Sequence, residues 1–325
     1  MRRATVLAGG VLSLLLIVAP ALADDCTPKL LTQLDMIDEP DGRVAVAVGL
    51  AGAQHRMLIG TSSMHSELFA PAAAAAGYRT LHLSERQSFD IFGGHASGYA
   101  EVDSMTLGTV RGGDVKMLVT PGPYDGDAGV VGVLASDLLG NFEVDLDFKQ
   151  HKVNLFASNP CDDKRVYWAA QYATLAMDGD GGRMTTTMLL DGKPVQVALD
   201  PLATEMRLKF DVAKRLFGLD PTTPGVTPIG ERDDGRPTYR YPFASLRADG
   251  FAIDKPPIVL FGDPNALSCN GSPHPRLGAV LADIYSIHTC WSPGDLSIGN
   301  RRLRLMHLYF AYKARKIYFT AADGH

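Results

Sequence analysis

The sequence has no dense run of basic residues, and its overall charge is slightly acidic. Lys and Arg number 31 against 36 Asp and Glu, which gives a formal net charge of −5 at pH 7. Proteins that follow a nucleic-acid backbone carry a basic patch that neutralises phosphates. The composition therefore argues against nucleic acid as a partner. With 46% hydrophobic and 21% charged residues, the chain of 325 residues also does not fit a disordered, collagen-like or coiled-coil protein.

Long apolar runs are also scarce, and the one that stands out lies at the N-terminus. Arg2 and Arg3 precede a nearly unbroken aliphatic run from Leu12 to Val18, and small residues follow at Ala21 and Ala23. This order is typical of a secretory signal peptide, so we predict that residues 1–23 are removed and that the protein is periplasmic or secreted. An uncleaved anchor is the alternative, but the run is short for a spanning helix. We expect no membrane span after cleavage.

Cysteine is rare, with four residues that allow three disulfide pairings: Cys26, Cys161, Cys269 and Cys290. Spacing favours Cys26 with Cys161, because the first opens the mature chain and the second lies where its first half ends. Cys269 and Cys290 would then close a local loop. The sequence has no C-x-x-C pair and no H-x-x-x-H spacing beside a cysteine. We therefore expect disulfides, with no metal and no cofactor.

Glycine and proline are plentiful, at 33 and 20 residues, which favours short strands joined by tight turns. Within this pattern the chain repeats itself. Residues 42–60 read GRVAVAVGLAGAQHRMLIG and residues 182–200 read GRMTTTMLLDGKPVQVALD. Each is an alternating strand, a turn at Gly52 or Gly192, and a second strand, at a constant offset of 140 positions. The repeat predicts two copies of one β-rich unit.

The segments after each hairpin also correspond. Helix-like stretches at Ser66–Ala76 and Lys209–Phe217 end before a glycine, and each half closes with a strand pair at Phe142–Phe156 or Met306–Thr320. We predict an N-terminal lobe at 24–165, a linker at 166–182 and a C-terminal lobe at 183–325. Asp178 and Asp180 suggest a calcium loop, but the residues that follow do not continue that motif, so a turn-rich linker is the better interpretation.

Two further segments carry a resemblance to a known family. Gly132–Leu139 reads GVLASDLL and is followed by the strand pair at Phe142–Phe156, while Leu296–Leu303 reads LSIGNRRL and is followed by the second strand pair. This arrangement resembles the bacterial exported aspartic peptidases of the retropepsin-like and pepsin-like family, in which two lobes lie in one chain. The resemblance implies a mainly β fold: two retropepsin-like (acid-protease) β-barrel lobes from internal duplication, with short helices.

In that family each lobe supplies one aspartate at the end of a strand, within Asp-Thr-Gly. The two carboxylates share a proton, so that one acts as base on a water molecule while the other donates to the peptide carbonyl. By the offset of 140, the matching positions here are Gly60 and Asp200. Only one aspartate of the pair is present. Pro201 replaces the threonine of the second copy, and Leu202 replaces its glycine.

The resemblance therefore implies an exported peptidase-like protein that is catalytically impaired. Asp200 is its candidate catalytic residue, Gly60 occupies the partner position, and an interlobe cleft suited to an extended peptide or protein segment is lined by Thr61, Ser62, Pro201 and Leu202. The alternative is an active aspartic-type endopeptidase that uses Asp200 and an unidentified second acid. Asp90, Asp125 and Asp127 lie in the first copy, but nothing in their spacing singles them out. A serine hydrolase is disfavoured because the sequence lacks a G-x-S-x-G elbow.

Overall fold

The protein is mainly β, and its short helices lie at the ends of strands. The computed structural model describes residues 26–84, 89–92, 94–122, 129–159, 161, 165–178, 184–231, 237–262 and 294–322. The predicted signal peptide (residues 1–23) and the predicted pair Cys269 and Cys290 lie outside these residues. Among the described residues, no helix combines the length and apolar character needed to cross a membrane.

The first half of the chain (residues 26–159) contains fifteen strands and two helices among its described residues. These are β1 (Leu30–Asp35), β2 (Ile37–Asp38), β3 (Val44–Leu50), β4 (Ala53–Gly60), β5 (Glu67–Phe69), α1 (Ala70–Ala75), β6 (Thr80–His82), β7 (Phe89–Ile91), β8 (Gly94–Ala96), β9 (Gly98–Val102), β10 (Met105–Leu107), β11 (Val110–Gly112), β12 (Val115–Thr120), β13 (Val130–Ala135), α2 (Ser136–Leu139), β14 (Glu143–Asp147) and β15 (Lys152–Phe156).

The rest of the chain begins with one strand before the second half (residues 184–322). Its elements are β16 (Ala173–Ala176), β17 (Thr185–Leu190), β18 (Lys193–Asp200), β19 (Met206–Lys209), α3 (Phe210–Phe217), β20 (Thr227–Glu231), β21 (Pro237–Arg240), β22 (Ser245–Ala248), β23 (Phe251–Asp254), β24 (Ile258–Phe261), β25 (Leu296–Gly299), α4 (Asn300–Leu303), β26 (Met306–Ala311) and β27 (Lys316–Ala321). Because β16 lies inside the segment 166–182, part of the predicted linker is a strand.

The two long hairpins form where the alternating pattern predicts them. β3 pairs with β4 and β17 pairs with β18, both antiparallel. Each turn has two residues with positive φ, Ala51 and Gly52 in the first hairpin and Asp191 and Gly192 in the second. Such a turn matches the twist of the strands it joins, and glycine adopts positive φ without steric cost. The equal turns keep the two hairpins in the same register.

The same order of strand pairings then occurs twice. In the first half β4 lies parallel to β13, β13 antiparallel to β5, and β5 parallel to β12. In the second half β18 lies parallel to β25, β25 antiparallel to β19, and β19 parallel to β24. The innermost strands, β13 and β25, each lead directly into a short helix, α2 or α4.

The expectation of closed barrels is wrong for the part of the chain that the structure describes. The sheet of the first half runs as an open path from β11 to β6, and that of the second half from β20 to β23. All five residues of β20 are exposed. An edge strand with only exposed residues buries no apolar surface, so its packing does not favour closure of the sheet into a barrel.

A six-stranded sheet joins the two halves, in the order β1, β15, β14, β26, β27, β16. At its centre β14 pairs antiparallel with β26, from Glu143 opposite Ala311 to Asp147 opposite His307. The disulfide between Cys26 and Cys161 is present, which confirms that predicted pair. One hydrophobic core draws on both halves, from Val46 and Leu134 in the first to Leu208 and Ile298 in the second.

The helix predicted at Ser66–Ala76 is wrong in its first part, since residues 67–69 form β5 between β12 and β13. Helix α1 begins at Ala70, beside Pro71, whose fixed φ suits the first helical turn. The second predicted helix is confirmed, because α3 spans Phe210–Phe217 and ends at Gly218 with a φ of 69°.

Candidate functional site

Two loops meet between the halves, each directly after the second strand of a long hairpin. The first loop (residues 60–63) leaves β4 at Gly60, and the second loop (residues 200–203) leaves β18 at Asp200. Gly60 lies opposite Ala135 of β13 in the same way that Asp200 lies opposite Gly299 of β25. Each loop closes with a backbone hydrogen bond of 3.1 Å, from the N–H of its fourth residue to the carbonyl of its first. The offset of 140 therefore describes equivalent places in the fold.

Thr61 connects the first loop to the second half of the chain. Its hydroxyl donates a hydrogen bond of 2.9 Å to the carbonyl oxygen of Leu199, the residue before Asp200. Tyr312 of the second half in turn donates to the carbonyl of Thr61 at 3.3 Å. The reverse bond cannot form, because Pro201 stands at the position equivalent to Thr61 and has neither a hydroxyl nor an N–H. The contact between the loops is one-sided.

Leu202 fills the space in front of Gly60. A Cβ at position 60 would lie 3.0 Å from Leu202 Cδ1 and 2.9 Å from Val133 Cγ1. Both distances are too short for an unstrained carbon contact, so a larger residue here would require Val133 and Leu202 to shift. Leu202 is buried in a small apolar cluster with residues of the first half: Ala45, Leu58, Phe69 and Val133. The Leu202 side chain therefore packs in the first half of the chain, a role that the sequence did not indicate.

The Asp200 carboxyl is held within its own loop. Its Oδ1 accepts a hydrogen bond of 3.1 Å from the N–H of Leu202. Burial raises the pKa of this carboxyl above its ordinary value, while the Leu202 N–H, the Ser62 hydroxyl and the charge of Arg207 act in the opposite direction. Ser62 is itself buried, and its hydroxyl lies beside the carboxyl without regular hydrogen-bond geometry. Among the described residues, no second carboxyl belongs to the groups that shift this pKa.

Asp137 of α2 holds Ser66, the residue before β5, and the sequence did not reveal this partner. Its carboxylate accepts the Ser66 hydroxyl at 2.6 Å and the Ser66 N–H at 2.9 Å. The same hydroxyl accepts a bond of 2.9 Å from the N–H of Ala135, at the end of β13. A serine three residues after the first loop is the only sequence signal for this network. It ties Ser66, the residue before β5, to α2 and to the end of β13.

The second half uses a different brace at the matching place. Arg301, which replaces the Asp137 of the first half, lies 3.3 Å from Glu205 in an exposed ion pair. Close packing is kept at Gly299, where a Cβ would lie 2.3 Å from the carbonyl oxygen of Glu205. The N–H of Asn300 donates to the carbonyl of Ala203 at 2.7 Å, as the N–H of Ser136 does to Ser63 at 3.0 Å.

The other acids considered from the sequence gain no support as partners of Asp200. The backbone of Asp90 lies in β7, which pairs with β8, whereas Asp125 and Asp127 lie outside the described residues. Phe92 follows β7 and packs against the cluster that contains Leu202, with the guanidinium carbon of Arg43 4.8 Å from the centre of its ring. An apolar cluster therefore lies on one side of the first loop, while Thr61 and Ser62 have polar neighbours.

Comparisons with known proteins find similarity among solved structures. No family model matches the sequence. No curated protein matches it either. Among solved structures, the chain is similar to a retropepsin-like aspartic protease from Rickettsia conorii, with 15% identity and a TM-score of 0.28. The alignment covers 39% of this chain and 90% of that one.

Proposed function

We propose that this chain is an exported, two-lobed protein of the aspartic-peptidase type that binds extended peptide segments between its lobes and does not cleave them. The observation that carries the proposal is the unequal pair of loops: Asp200 ends one strand, while Gly60 ends its equivalent. The repeated order of strand pairings supports two lobes derived by duplication. The hydrogen bond from Thr61 to Leu199 supports an arrangement in which the two loops form the floor of one cleft.

The loss of cleavage follows from acid–base chemistry. Peptide hydrolysis of this type needs one carboxylate to take a proton from water while a second carboxyl protonates the carbonyl oxygen. Asp200 alone cannot perform both roles in one step. Leu202 also obstructs a second carboxylate at position 60, because it occupies the space into which a side chain there would extend. In this proposal the four buried residues Thr61, Ser62, Pro201 and Leu202 form the base of the binding cleft.

An extended peptide suits such a cleft because it can pair with a strand through backbone hydrogen bonds. A peptide that lies beside a sheet edge gains main-chain hydrogen bonds, and alternate side chains enter neighbouring pockets. The apolar cluster beside the first loop, which contains Phe69 and Leu202, favours apolar ligand side chains.

The test is incubation of a mixed peptide library with the purified mature protein from acid to neutral pH. We expect intact peptides to be recovered on the protein and no new termini to be formed, with Asp200→Asn indistinguishable from wild type in cleavage. Asp254→Asn, at an exposed side chain, is the matched control. Cleavage that a statine-type inhibitor blocks and Asp200→Asn abolishes would establish the alternative, an active peptidase. The absence of both binding and cleavage would overturn the peptide cleft.

Export is proposed on separate grounds. The N-terminal segment has the order of a signal peptide, and the Cys26–Cys161 disulfide is of the kind that persists in oxidising compartments. Peptide-mapped mass spectrometry of the protein from the periplasm or medium should find Asp24 as the first residue and a second disulfide between Cys269 and Cys290. A mass that still includes Arg2 would contradict export by cleavage, and free thiols at Cys269 and Cys290 would contradict the second pair.

A further inference from the structure

The six-stranded sheet carries a buried polar network that the proposed function does not use. Glu143, Asp145 and Asp147 occupy alternate positions of β14, so their side chains share one face of the sheet. Their exposed fractions are 1%, 0% and 4%. Carboxylates buried to this degree must be paired or hydrogen-bonded, or they would destabilise the fold by several kcal/mol.

Their partners come from both halves of the chain. The Glu143 carboxylate accepts the hydroxyl of Tyr309 at 2.6 Å, and Asp145 lies 2.6 Å from Nε2 of His307. His307 Nδ1 lies 3.9 Å from Asp147. Burial and the neighbouring carboxylates raise the pKa of the Tyr309 hydroxyl, which therefore remains a hydrogen-bond donor.

A short segment, residues 165–168, covers this face, and we call it the strap. Arg165 donates from Nε to Glu143 at 2.9 Å, in an ion pair whose two side chains are 4% and 1% exposed. The Tyr167 hydroxyl donates to Asp145. The ring of Trp168 stacks on that of His307, with centroids 4.0 Å apart and an interplanar angle of 12°. The strap thus contacts Glu143, Asp145 and His307, whose exposed fractions are 1%, 0% and 3%.

Asn159 connects the strap to the disulfide. Its side-chain amide donates to the carbonyl of Cys26 at 3.0 Å, and its side-chain oxygen accepts the N–H of Cys161 at 2.9 Å. Its backbone N–H donates to Glu143 at 3.1 Å, and its carbonyl accepts a hydrogen bond from Arg165. One residue therefore bonds to both halves of the disulfide and to both members of the buried ion pair.

We propose that the Cys26–Cys161 disulfide is a thiol-sensitive latch, which holds the strap over the β14 carboxylates through Asn159. Both cysteines are partly exposed, so a dithiol can reach them. In the reduction the S–S bond breaks, and each cysteine sulfur takes a proton to become a thiol. The two electrons come from the dithiol, which is oxidised to its own disulfide. The segment around Cys26 is then held to Asn159 only by the hydrogen bond to the Cys26 carbonyl. With this weaker support, the strap moves away from the β14 carboxylates.

Trp168 provides the readout. The chain has two tryptophans, and Trp291 lies outside the described residues, so a Trp291→Phe variant reports on Trp168 alone. We expect dithiothreitol to raise the acrylamide quenching constant of Trp168 at least about twofold while the far-UV circular dichroism stays unchanged. A Cys26→Ser/Cys161→Ser variant should show the raised value without reductant. Cys269→Ser/Cys290→Ser is the matched control and should respond to dithiothreitol as the parent does.

Asn159→Ala tests whether the disulfide acts on the strap through Asn159. This variant should raise the quenching constant of Trp168 while the disulfide is intact. Three results would overturn the proposal. The first is an unchanged quenching constant after mass spectrometry shows that Cys26 and Cys161 are reduced. The second is a disulfide that dithiothreitol does not reduce in the folded protein. The third is a simultaneous loss of the circular dichroism signal, which would mean global unfolding instead of local opening.

Discussion

The hydroxyl of Thr61 lies 2.9 Å from the carbonyl oxygen of Leu199, across the boundary between the two halves. The bond is buried, and no equivalent bond returns from Pro201. It therefore ties the first loop to the end of β18, one residue before Asp200. The geometry of the candidate site depends on this point and on the packing of Leu202 against Gly60.

Removal of the Thr61 hydroxyl should destabilise the protein. Thr61→Val keeps the shape of the side chain but leaves the Leu199 carbonyl buried without this donor, which costs about 1–3 kcal/mol. Urea unfolding measures the change. Thr109→Val is the control, because the Thr109 hydroxyl also donates to a carbonyl, that of Leu31, but at an exposed site. There we expect about 0.5 kcal/mol. Equal losses in the two variants would contradict a buried bond between the halves.

Gly60 and Leu202 should be energetically coupled. Gly60→Ala adds a carbon that meets Leu202 and Val133, and we expect it to destabilise the protein by about 1–3 kcal/mol. In a Leu202→Ala background one of these contacts is absent, so the same substitution should cost about 1 kcal/mol less. A double-mutant cycle by urea unfolding gives the coupling energy. Strictly additive effects would show that Leu202 does not occupy the space in front of position 60.

The stability of the protein should depend on pH through Asp200. Burial raises the pKa of this carboxyl above 3.8, its ordinary value. An acid with a raised pKa in the folded state contributes stability that is fully present below its unfolded pKa and is lost as the pH rises through its folded pKa. Asparagine does not ionise, so Asp200→Asn should gain stability relative to wild type as the pH rises above the ordinary pKa of the carboxyl.

Urea unfolding at several pH values compares Asp200→Asn with wild type. The exposed Asp254 supplies the control variant Asp254→Asn, for which the difference from wild type should stay small throughout. A difference for Asp200→Asn that does not change with pH would contradict a raised pKa of this carboxyl.

The buried ion pair of the strap should matter far more than an exposed one. Arg165→Ala leaves Glu143 buried without its cation, which costs about 3–5 kcal/mol. Arg247 and Asp254 form an ion pair whose side chains are 52% and 75% exposed, so Arg247→Ala should cost about 1 kcal/mol or less. Chemical unfolding of both variants at neutral pH provides the comparison. Similar small losses would mean that Glu143 is accessible to water.

Local patterns in the sequence predict much of the fold. Alternating apolar residues and glycine turns locate the two long hairpins, and the offset of 140 places Gly60 and Asp200 at equivalent strand ends. Those features depend on neighbours in the chain. The sequence does not predict that the helix begins at Ala70, because Glu67–Phe69 forms a strand through pairing with the distant strands β12 and β13.

The finer parts of the site depend on contacts between distant segments. Leu202 crosses to the apolar cluster of the first half, and Ser66 meets Asp137 over 71 positions. Nothing within either segment specifies its partner. Likewise the alternating acids of β14 are typical of a strand with one face exposed to solvent. In the structure they are buried, because the strap lies over this face and residues of β26 contact it.

The pairing of β14 with β26 has a consequence for how the chain can be divided. Each strand supplies the other with a complete ladder of backbone hydrogen bonds across the middle of a continuous sheet. A fragment that ends before β26, or one that begins after β14, would present that ladder unpaired to the solvent, with buried residues such as Leu146 or Phe310 beside it. Such an unpaired edge can pair with an exposed strand of another chain. Fragments made together should therefore find each other and reconstitute the sheet, whereas either one made alone should aggregate.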